Sequence, residues 1–576
     1  MLMYEKYTGK NRDDFTSYED VMKNFKITYP ENFNFAYDVL DELAKNQPDH
    51  LCMLWISNEF EEKRISFSDM AYWTNKTANY FKSLGIKKGD FVMLVLKRSY
   101  LFWYCMMALH KIGAVAVQAA HLLTKDDYIY RCNAGDIKMA VITGDNNCTE
   151  AFDAGESEYT TVKLKAVTKR KKVGRDGLGA TQNDDNNGWL DFEAGIEAAS
   201  DIWERPTGDE ATVATDMMIM SFSSGTTGYP KMVAHDFTYP LGHIGTGVFW
   251  HRVQKGGLHF TISDTGWLKS LWGKMYGQWL GESAVLTYDF ERFNAKDILK
   301  VMEKSKVTTF CAPPTQYRML LNEDLASYDL SSIKHSCAAG EALSHDIFTR
   351  WKNFTGLEIY EGFGQTETTL CCATLYPFTE PRISAMGMTV PGYDMFIADA
   401  DGNEVATGVT GEICLRAKSL DDRPVGLYMG YHKNGEATQK SWHDGLFHTG
   451  DTAYKDEQGY LWYVGRNDDI IKSSGYRIGP FEVESVLLKH PAVSEVAVTG
   501  VPDEIRGFNV KATIVLAKDY TPSDELVKEL QDFVKKNTAP YKYPRVVDFI
   551  DELPKTINGK IRRVEIRNKD MEKSNN

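Results

Sequence analysis

The sequence predicts an α/β fold. It has a large N-terminal domain of mixed and parallel sheets with covering helices and a small barrel-like β region. A small C-terminal α+β domain follows. Three observations carry this reading. Strand and helix patterns alternate up to about residue 145 and again after residue 300, which implies parallel sheets under helices. Glycine-containing loops repeatedly follow the strands, where open parallel sheets hold their ligands. Beyond Asp468 the pattern changes to a compact α+β style, so the domains are read as 1–467 and 468–576.

Taken in order, Ser68 to Leu84 reads as a helix opened by a Ser cap and closed at Gly85. Phe91 to Leu96, Ala114 to Gln118 and Met139 to Thr143 read as strands, and Ser99 to Lys111 and Thr124 to Asn133 as helices. Leu101 to Leu109 is the most apolar helical stretch. It is too short to span a bilayer and reads as buried. Lys163 to Gly188 is rich in Lys, Gly, Asp and Asn and reads as an exposed insertion. Met217 to Met220, Val307 to Cys311, His335 to Ala339 and Leu357 to Tyr360 read as strands, with Pro313-Pro314 opening a helix. Ile383 to Gly465 is strand-dominated with recurrent Gly turns. Past it come a helix (Pro480 to Lys489), two strands (Val493 to Val498, Val510 to Leu516) and a helix (Ser523 to Lys536).

Length and composition narrow the class. A chain of 576 residues exceeds one compact core, and 43% hydrophobic with 25% charged residues is a globular composition. A net charge of −14 argues against a general nucleic-acid binder and leaves any anionic ligand to local cations. The nine cysteines show no CxxC spacing, which points to small core residues and a reducing compartment, the cytoplasm or a similar one. The N-terminus carries no signal-peptide pattern, and no stretch reads as a membrane span.

The chemistry concentrates in Ser221-Phe222-Ser223-Ser224-Gly225-Thr226-Thr227-Gly228-Tyr229-Pro230-Lys231. Hydroxyls, glycines and a lysine after a strand can cradle a polyphosphate, though a polar surface turn has the same composition. It is not the Walker pattern, because Met232 follows the lysine. With it come Gly340-Glu341-Ala342, Tyr360 to Glu367, Gly450-Asp451, Gly465-Arg466, Ser474-Gly475-Tyr476-Arg477 and Asn558-Gly559-Lys560.

In this order the motifs resemble those of AMP-forming acyl-CoA synthetases of the adenylate-forming superfamily, closest to the medium-chain branch. The resemblance covers roughly Phe33 to Arg563. It implies that a carboxylate displaces pyrophosphate from ATP to give an acyl-adenylate, and that the thiol of coenzyme A then displaces AMP. The implied substrates are a small-molecule carboxylate, ATP and CoA, with Mg²⁺ as the metal.

The same resemblance distributes roles. Ser223, Ser224, Gly225, Thr226, Thr227, Gly228 and Lys231 would hold the outer phosphates, and Glu367 with Thr226 would hold Mg²⁺. Thr366 would bond the α-phosphate or the acyl carboxylate. Gly340, Glu341, Ala342, Glu361, Gly362 and Phe363 would flank the adenine, Phe363 by stacking, and Gly364 and Gln365 would also bind ATP. Asp451 suits the ribose hydroxyls, Arg466 ribose or phosphate, and Lys560 the charge that gathers during adenylate formation. Asp468 matches a hinge about which the C-terminal domain rotates between half-reactions. Ser474, Gly475, Tyr476, Arg506, Tyr543 and Arg545 match CoA contacts, and Arg477 a nucleotide or phosphate contact.

Trp267 matches a wall of the acyl pocket. Gly364 stands where acetyl-CoA synthetases carry a pocket-closing tryptophan, so an acid larger than acetate is expected: medium-chain, branched or aromatic. Two other readings compete. One is an adenylation enzyme that loads a carrier-protein thiol. The other is a nucleotide-binding protein with a degenerate site. A homodimer is compatible with the family.

Overall fold

The computed structural model describes residues 1–145, 147–168, 188–223, 229–341, 343–417, 419–474, 476–503, 505–555 and 561–574. Contacts divide them into two compact units. The first comprises the described parts of 1–223, 230–393 and 419–439. The second is chiefly 394–418 and 440–576.

Two sheets build the first unit. The seven-stranded one runs, in spatial order, Trp189–Asp191, Leu164–Thr168, Ile137–Thr143, Phe91–Val95, Val115–Gln118, Met217–Phe222 and Met232–Asp236. All its neighbours pair in parallel except the last two, which are antiparallel. The nine-stranded sheet has a parallel centre, Ile359–Gly364, His335–Ala339, Thr309–Ala312, Leu258–Thr261, Ala284–Tyr288 and Leu51–Ile56. Antiparallel strands close both edges.

Local chemistry sets the helix ends. Phe67–Ser83 begins in a capping box in which Ser66 and Asp69 satisfy each other's backbone N–H groups. Thr124 and Asp127 do the same for Lys125–Ala134. Pro314 sits in the first turn of Pro314–Leu321, where its missing N–H costs nothing. All twelve residues of Leu101–Ile112 are buried, as its composition predicts. Its one buried ammonium, Lys111, meets both oxygens of Asp41 at 2.7 Å. All nine cysteines are buried, and none forms a disulfide. No helix of the described residues is long and apolar enough to cross a membrane.

Lys274 is another buried ammonium in this unit, 1% exposed, and it donates to the Ser263 carbonyl at 2.9 Å. Burial lowers its pKa to about 7, with the Arg98 cation adding to the effect. A lysine lowered from 10.5 takes up a proton on unfolding between those values, so the fold gains stability as pH rises from about 7 towards 10. Lys274→Met is therefore expected to raise the melting temperature at pH 7. The advantage should shrink by pH 10, as scanning calorimetry at the two pH values would show.

The second unit holds two sheets. One is wholly antiparallel: Met395–Ala398, Gly411–Arg416, Leu446–Lys455 and Trp442–His443, with Leu461–Arg466 on the free side of Leu446–Lys455. This is the barrel-like β region of the sequence reading. The other orders Tyr476–Ile478, Ile471–Ser473, Gly507–Leu516 and Val493–Asp503, with Val546–Phe549 joining Gly507–Leu516 in parallel. Pro480–Leu487 and Asp524–Asn537 pack on it through Val483, Leu487, Leu526, Leu530 and Val534.

Candidate active site

In the first unit the phosphate-loop motif leaves the end of strand Met217–Phe222. Ser223 N–H donates to the Lys231 carbonyl at 2.9 Å, which closes the base of the loop. Ser224, Gly225, Thr226, Thr227 and Gly228 lie outside the described residues. Lys231 is exposed, and its ammonium stands 4.7 Å over the Tyr431 ring. The Tyr431 hydroxyl donates to Glu367 Oε1 at 2.8 Å. One phenol thus joins the lysine of the first motif to the carboxylate of another, which lies 136 residues further along the chain (367 − 231).

The partner segment is placed by backbone pairing. Met429 N–H donates to Ala234 O and His432 N–H to Met232 O, both at 2.8 Å, and Tyr428 N–H donates to Glu367 O at 2.8 Å. The fully buried His235 completes the contact: its Nε2 lies 2.8 Å from the Thr366 carbonyl, so that nitrogen carries the proton. Burial holds His235 neutral, with a pKa lowered to about 3.

The segment Glu361 to Glu367 differs from the sequence reading. The sequence predicts a loop after a strand ending at Tyr360, whereas the strand runs on to Gly364. Leu370–Ala373 returns antiparallel beside it, so Gln365 to Thr369 forms a tight connection. The Gln365 N–H donates to Thr368 Oγ1 at 2.9 Å. Glu361 is therefore a buried strand residue. Its two oxygens accept the Leu343 N–H (3.0 Å) and the Ser384 N–H (3.1 Å), tying the loop after His335–Ala339 in place. Burial raises its pKa to about 8 against those hydrogen bonds. In that loop Gly340 has φ +103°, a conformation that favours glycine, and Glu341 accepts the Thr315 hydroxyl at 2.6 Å. Ala342 lies outside the described residues.

Gly362 and Gly364 point to one face of their strand. A Cβ at Gly362 would lie 2.7 Å from the Trp250 ring, and one at Gly364 would lie 2.4 Å from both the Trp272 ring and the Thr369 carbonyl oxygen. The expectation that Gly364 leaves open space is corrected here. A different tryptophan, Trp272, already abuts it, held by an Nε1–H donated to the Tyr239 hydroxyl. Trp267 is half-buried in the turn before helix Lys269–Gly273, where its N–H donates to Asp264 O.

In the second unit Asp451 is 4% exposed on strand Leu446–Lys455. Tyr463 donates its hydroxyl to Asp451 Oδ1 at 3.1 Å, and Arg466, its register partner on the next strand, brings Nη1 to 3.8 Å. Gly450 turns with φ +72°, and its carbonyl accepts the Asn467 N–H. Asp468 is exposed. Its carboxylate faces Arg466 Nε at 3.5 Å, and its carbonyl accepts from Arg567 at 3.2 Å.

Among the expected CoA contacts, Arg506 donates to Ser474 Oγ at 3.0 Å, and Arg545 bonds the Tyr543 hydroxyl while lying over its ring. Tyr476 is half-exposed and stacks on Tyr541, 4.1 Å between ring centres. Gly475, the Arg477 side chain and Lys560 lie outside the described residues, as does the greater part of the insertion expected at Lys163 to Gly188. Sequence reasoning missed Tyr431, Tyr463, Trp272 and Tyr541. Each is an aromatic with no local motif, identified only by what the fold sets beside it.

Comparison with known proteins places the chain in context. The family model described as AMP-binding enzyme matches residues 40–431, and that of the AMP-binding enzyme C-terminal domain matches 482–560. The human mitochondrial acyl-coenzyme A synthetase ACSM3 is 39% identical over 97% of this chain and 93% of its own length. The rat mitochondrial acyl-coenzyme A synthetase ACSM4 is 38% identical, with the same coverage. Among solved structures, the anthranilate CoA ligase AuaEII in complex with anthranoyl-AMP superposes with a TM-score of 0.83 at 26% identity, covering 95% of this chain and 99% of that one. An acyl-CoA synthetase from Brucella canis gives 0.71 at 27% identity, covering 97% and 100%.

Proposed function

The chain belongs to the AMP-binding enzyme family, in its medium-chain acyl-CoA synthetase branch, and from that premise we propose how its residues carry out ATP-dependent acid–CoA ligation through an acyl-adenylate. The observation that best supports the assignment of roles is the contact series Lys231–Tyr431–Glu367. A cation and a carboxylate held by one rigid phenol suit a triphosphate and its counter-ion. Neither half-reaction requires a protein nucleophile. Both require the reactants to be positioned and phosphate charge to be offset.

Lys231 takes the outer phosphates together with Ser223 and the loop residues 224–228. Glu367 and Thr226 offer the hard oxygen donors that Mg²⁺ prefers, and the Tyr431 hydroxyl fixes one Glu367 oxygen so that the other can serve as a ligand. When bound, the ion supplies positive charge against the phosphates. Thr366 bonds the α-phosphate or the acyl carboxylate. The backbone of Gly340 to Ala342 and of Gly362 to Gln365, with the Phe363 ring, flanks the adenine. Asp451 accepts the ribose hydroxyls with Arg466 beside it, and Lys560 offsets charge during adenylate formation. Asp468 acts as the hinge between half-reactions. Ser474, Gly475, Tyr476, Arg477, Arg506, Tyr543 and Arg545 meet CoA.

The acyl group is a medium-chain, branched or aromatic one, bounded by Trp267 and by Trp272 beside Gly364. A reducing aqueous compartment suits nine buried thiols. A panel of carboxylic acids with ATP, Mg²⁺ and free CoA, scored by AMP release, tests the assignment. AMP release dependent on free CoA and on an acid larger than acetate is expected. Release only with a carrier-protein thiol would redirect the second half-reaction.

Tyr431→Phe tests the metal role in isolation, because it keeps the ring under Lys231 and removes only the hydroxyl. A hydrogen bond to a charged group contributes about 1.5–3 kcal/mol. Turnover at limiting Mg²⁺ is expected to fall by about tenfold or more. Added Mg²⁺ should recover most of it, as a Mg²⁺ titration of the variant would show.

A further inference from the structure

The antiparallel sheet of the second unit carries a donor cluster that ligase chemistry does not use. Glu412 and Cys414 lie on one face of strand Gly411–Arg416, two residues apart. His448 is the register partner of Cys414, while Glu412 pairs with Thr452. Two steps on one strand thus face four on the other, so strand Leu446–Lys455 bows outward there. The bow contains Gly450 and Asp451.

Two of the cluster's three edges have the spacing of ligands around one small cation. Cys414 Sγ lies 3.5 Å from His448 Nδ1, which lies 3.2 Å from Glu412 Oε2. All three donor atoms fall within 4.8 Å of one another. Zinc–ligand bonds of about 2.0–2.3 Å at tetrahedral angles give ligand-to-ligand edges of roughly 3.3–3.6 Å. Among the described residues no other three His, Cys, Asp or Glu side chains bring their ligand atoms so close.

One imidazole nitrogen, Nδ1, faces both the thiol and the carboxylate, so all three donors converge on one point. The other oxygen of Glu412 is already committed, accepting the Gly450 N–H at 2.8 Å, so Oε2 is the one left for a cation. The thiol is buried, and the other two side chains are 20% and 13% exposed, so solvent can fill a fourth position.

We propose that Glu412, Cys414 and His448 bind one borderline divalent transition-metal ion of the zinc class, with water as the fourth ligand, and that the bound ion stiffens the bowed Gly450–Asp451 turn. Binding releases the thiol proton of Cys414 and any proton on Nδ1, and the thiolate and carboxylate together neutralise the ion. Such a site differs in kind from the hard-oxygen donors assigned to Mg²⁺, because sulfur and imidazole select softer cations. The link to nucleotide affinity rests on the reading of Asp451 as a ribose ligand, whereas the metal site itself does not.

The full chain, stripped with a chelator, can be titrated with Co²⁺ as a spectroscopic stand-in for Zn²⁺. The expected result is a saturable thiolate-to-cobalt absorption band at one ion per chain, bleached by Zn²⁺ and unchanged by excess Mg²⁺. Cys414→Ser should abolish the band. Glu412→Gln, which keeps the side chain's shape if the serine variant folds poorly, should weaken binding at least as much as loss of an outer-shell partner does, roughly 10- to 100-fold. Absence of the band, or its persistence in Cys414→Ser, would overturn the site. AMP affinity measured by calorimetry with and without Zn²⁺ is expected to differ several-fold in the wild-type chain and not in Cys414→Ser. Equal affinities beside an intact band would overturn the coupling alone.

Discussion

Lys560→Ala is expected to abolish acyl-adenylate formation, by 100-fold or more, while leaving thioester formation from supplied acyl-adenylate close to normal. In the first half-reaction a carboxylate approaches an α-phosphate, so two anions must meet. A flexible ammonium can sit against both, and removing one such preorganised donor typically costs about 10²–10³ in rate. In the second half-reaction the carboxylate is already esterified and that repulsion has gone. Carboxylate-dependent exchange of pyrophosphate into ATP reads the first step, and CoA-dependent release of AMP from synthetic acyl-adenylate reads the second. Equal losses in both would remove Lys560 from the role.

Gly364→Ala is expected to damage both the stability of the first unit and turnover. The added methyl would meet a backbone carbonyl, Thr369 O, at 2.4 Å as well as the Trp272 ring at 2.4 Å. A ring on a side chain can give way, but a carbonyl in the strand connection cannot move without carrying Gln365 to Thr369 with it. Overpacking of this kind costs about 1–3 kcal/mol in stability. Displacing Thr366 and Glu367 by a fraction of an ångström should lower kcat/KM by on the order of 100-fold. The double variant Gly364→Ala, Trp272→Ala separates the two contacts. Little recovery is expected, because the carbonyl clash remains; full recovery would show that the indole alone sets the limit.

Much of this molecule was legible in the chain before folding, because its signals are local. Most apolar runs bounded by Gly and Pro became strands within two or three residues of the expected ends, although the one read as Val493 to Val498 runs on to Asp503. His335–Ala339 fell where read, and the helices read from Thr124 and Ser523 start one residue later, with those two side chains as their caps. Where two local signals compete the reading slips. Ser66-Phe67-Ser68-Asp69 offers two serines, and the first caps the helix because only it stands three residues before Asp69. The strand through Glu361 to Gly364 was missed because two glycines normally weaken a strand. Here they are required, since two indoles occupy the space their side chains would fill.

Residues brought in by long-range pairing left no trace in sequence. Tyr431 reaches Glu367 because 429–432 pairs with strand Met232–Asp236, and no periodicity records a partnership between segments nearly 200 residues apart. Tyr463 and Trp272 were hidden for the same reason. The motifs showed which residue types the chemistry needs, whereas their rigid supports depend on tertiary packing.

The nine thiols have a further consequence. Every sulfur is interior and none is cross-linked, so an alkylating reagent has no superficial target and must wait for the chain to open. Labelling then becomes a clock for conformational breathing: the order in which cysteines acquire the tag maps which parts of the architecture loosen first, without any engineered probe.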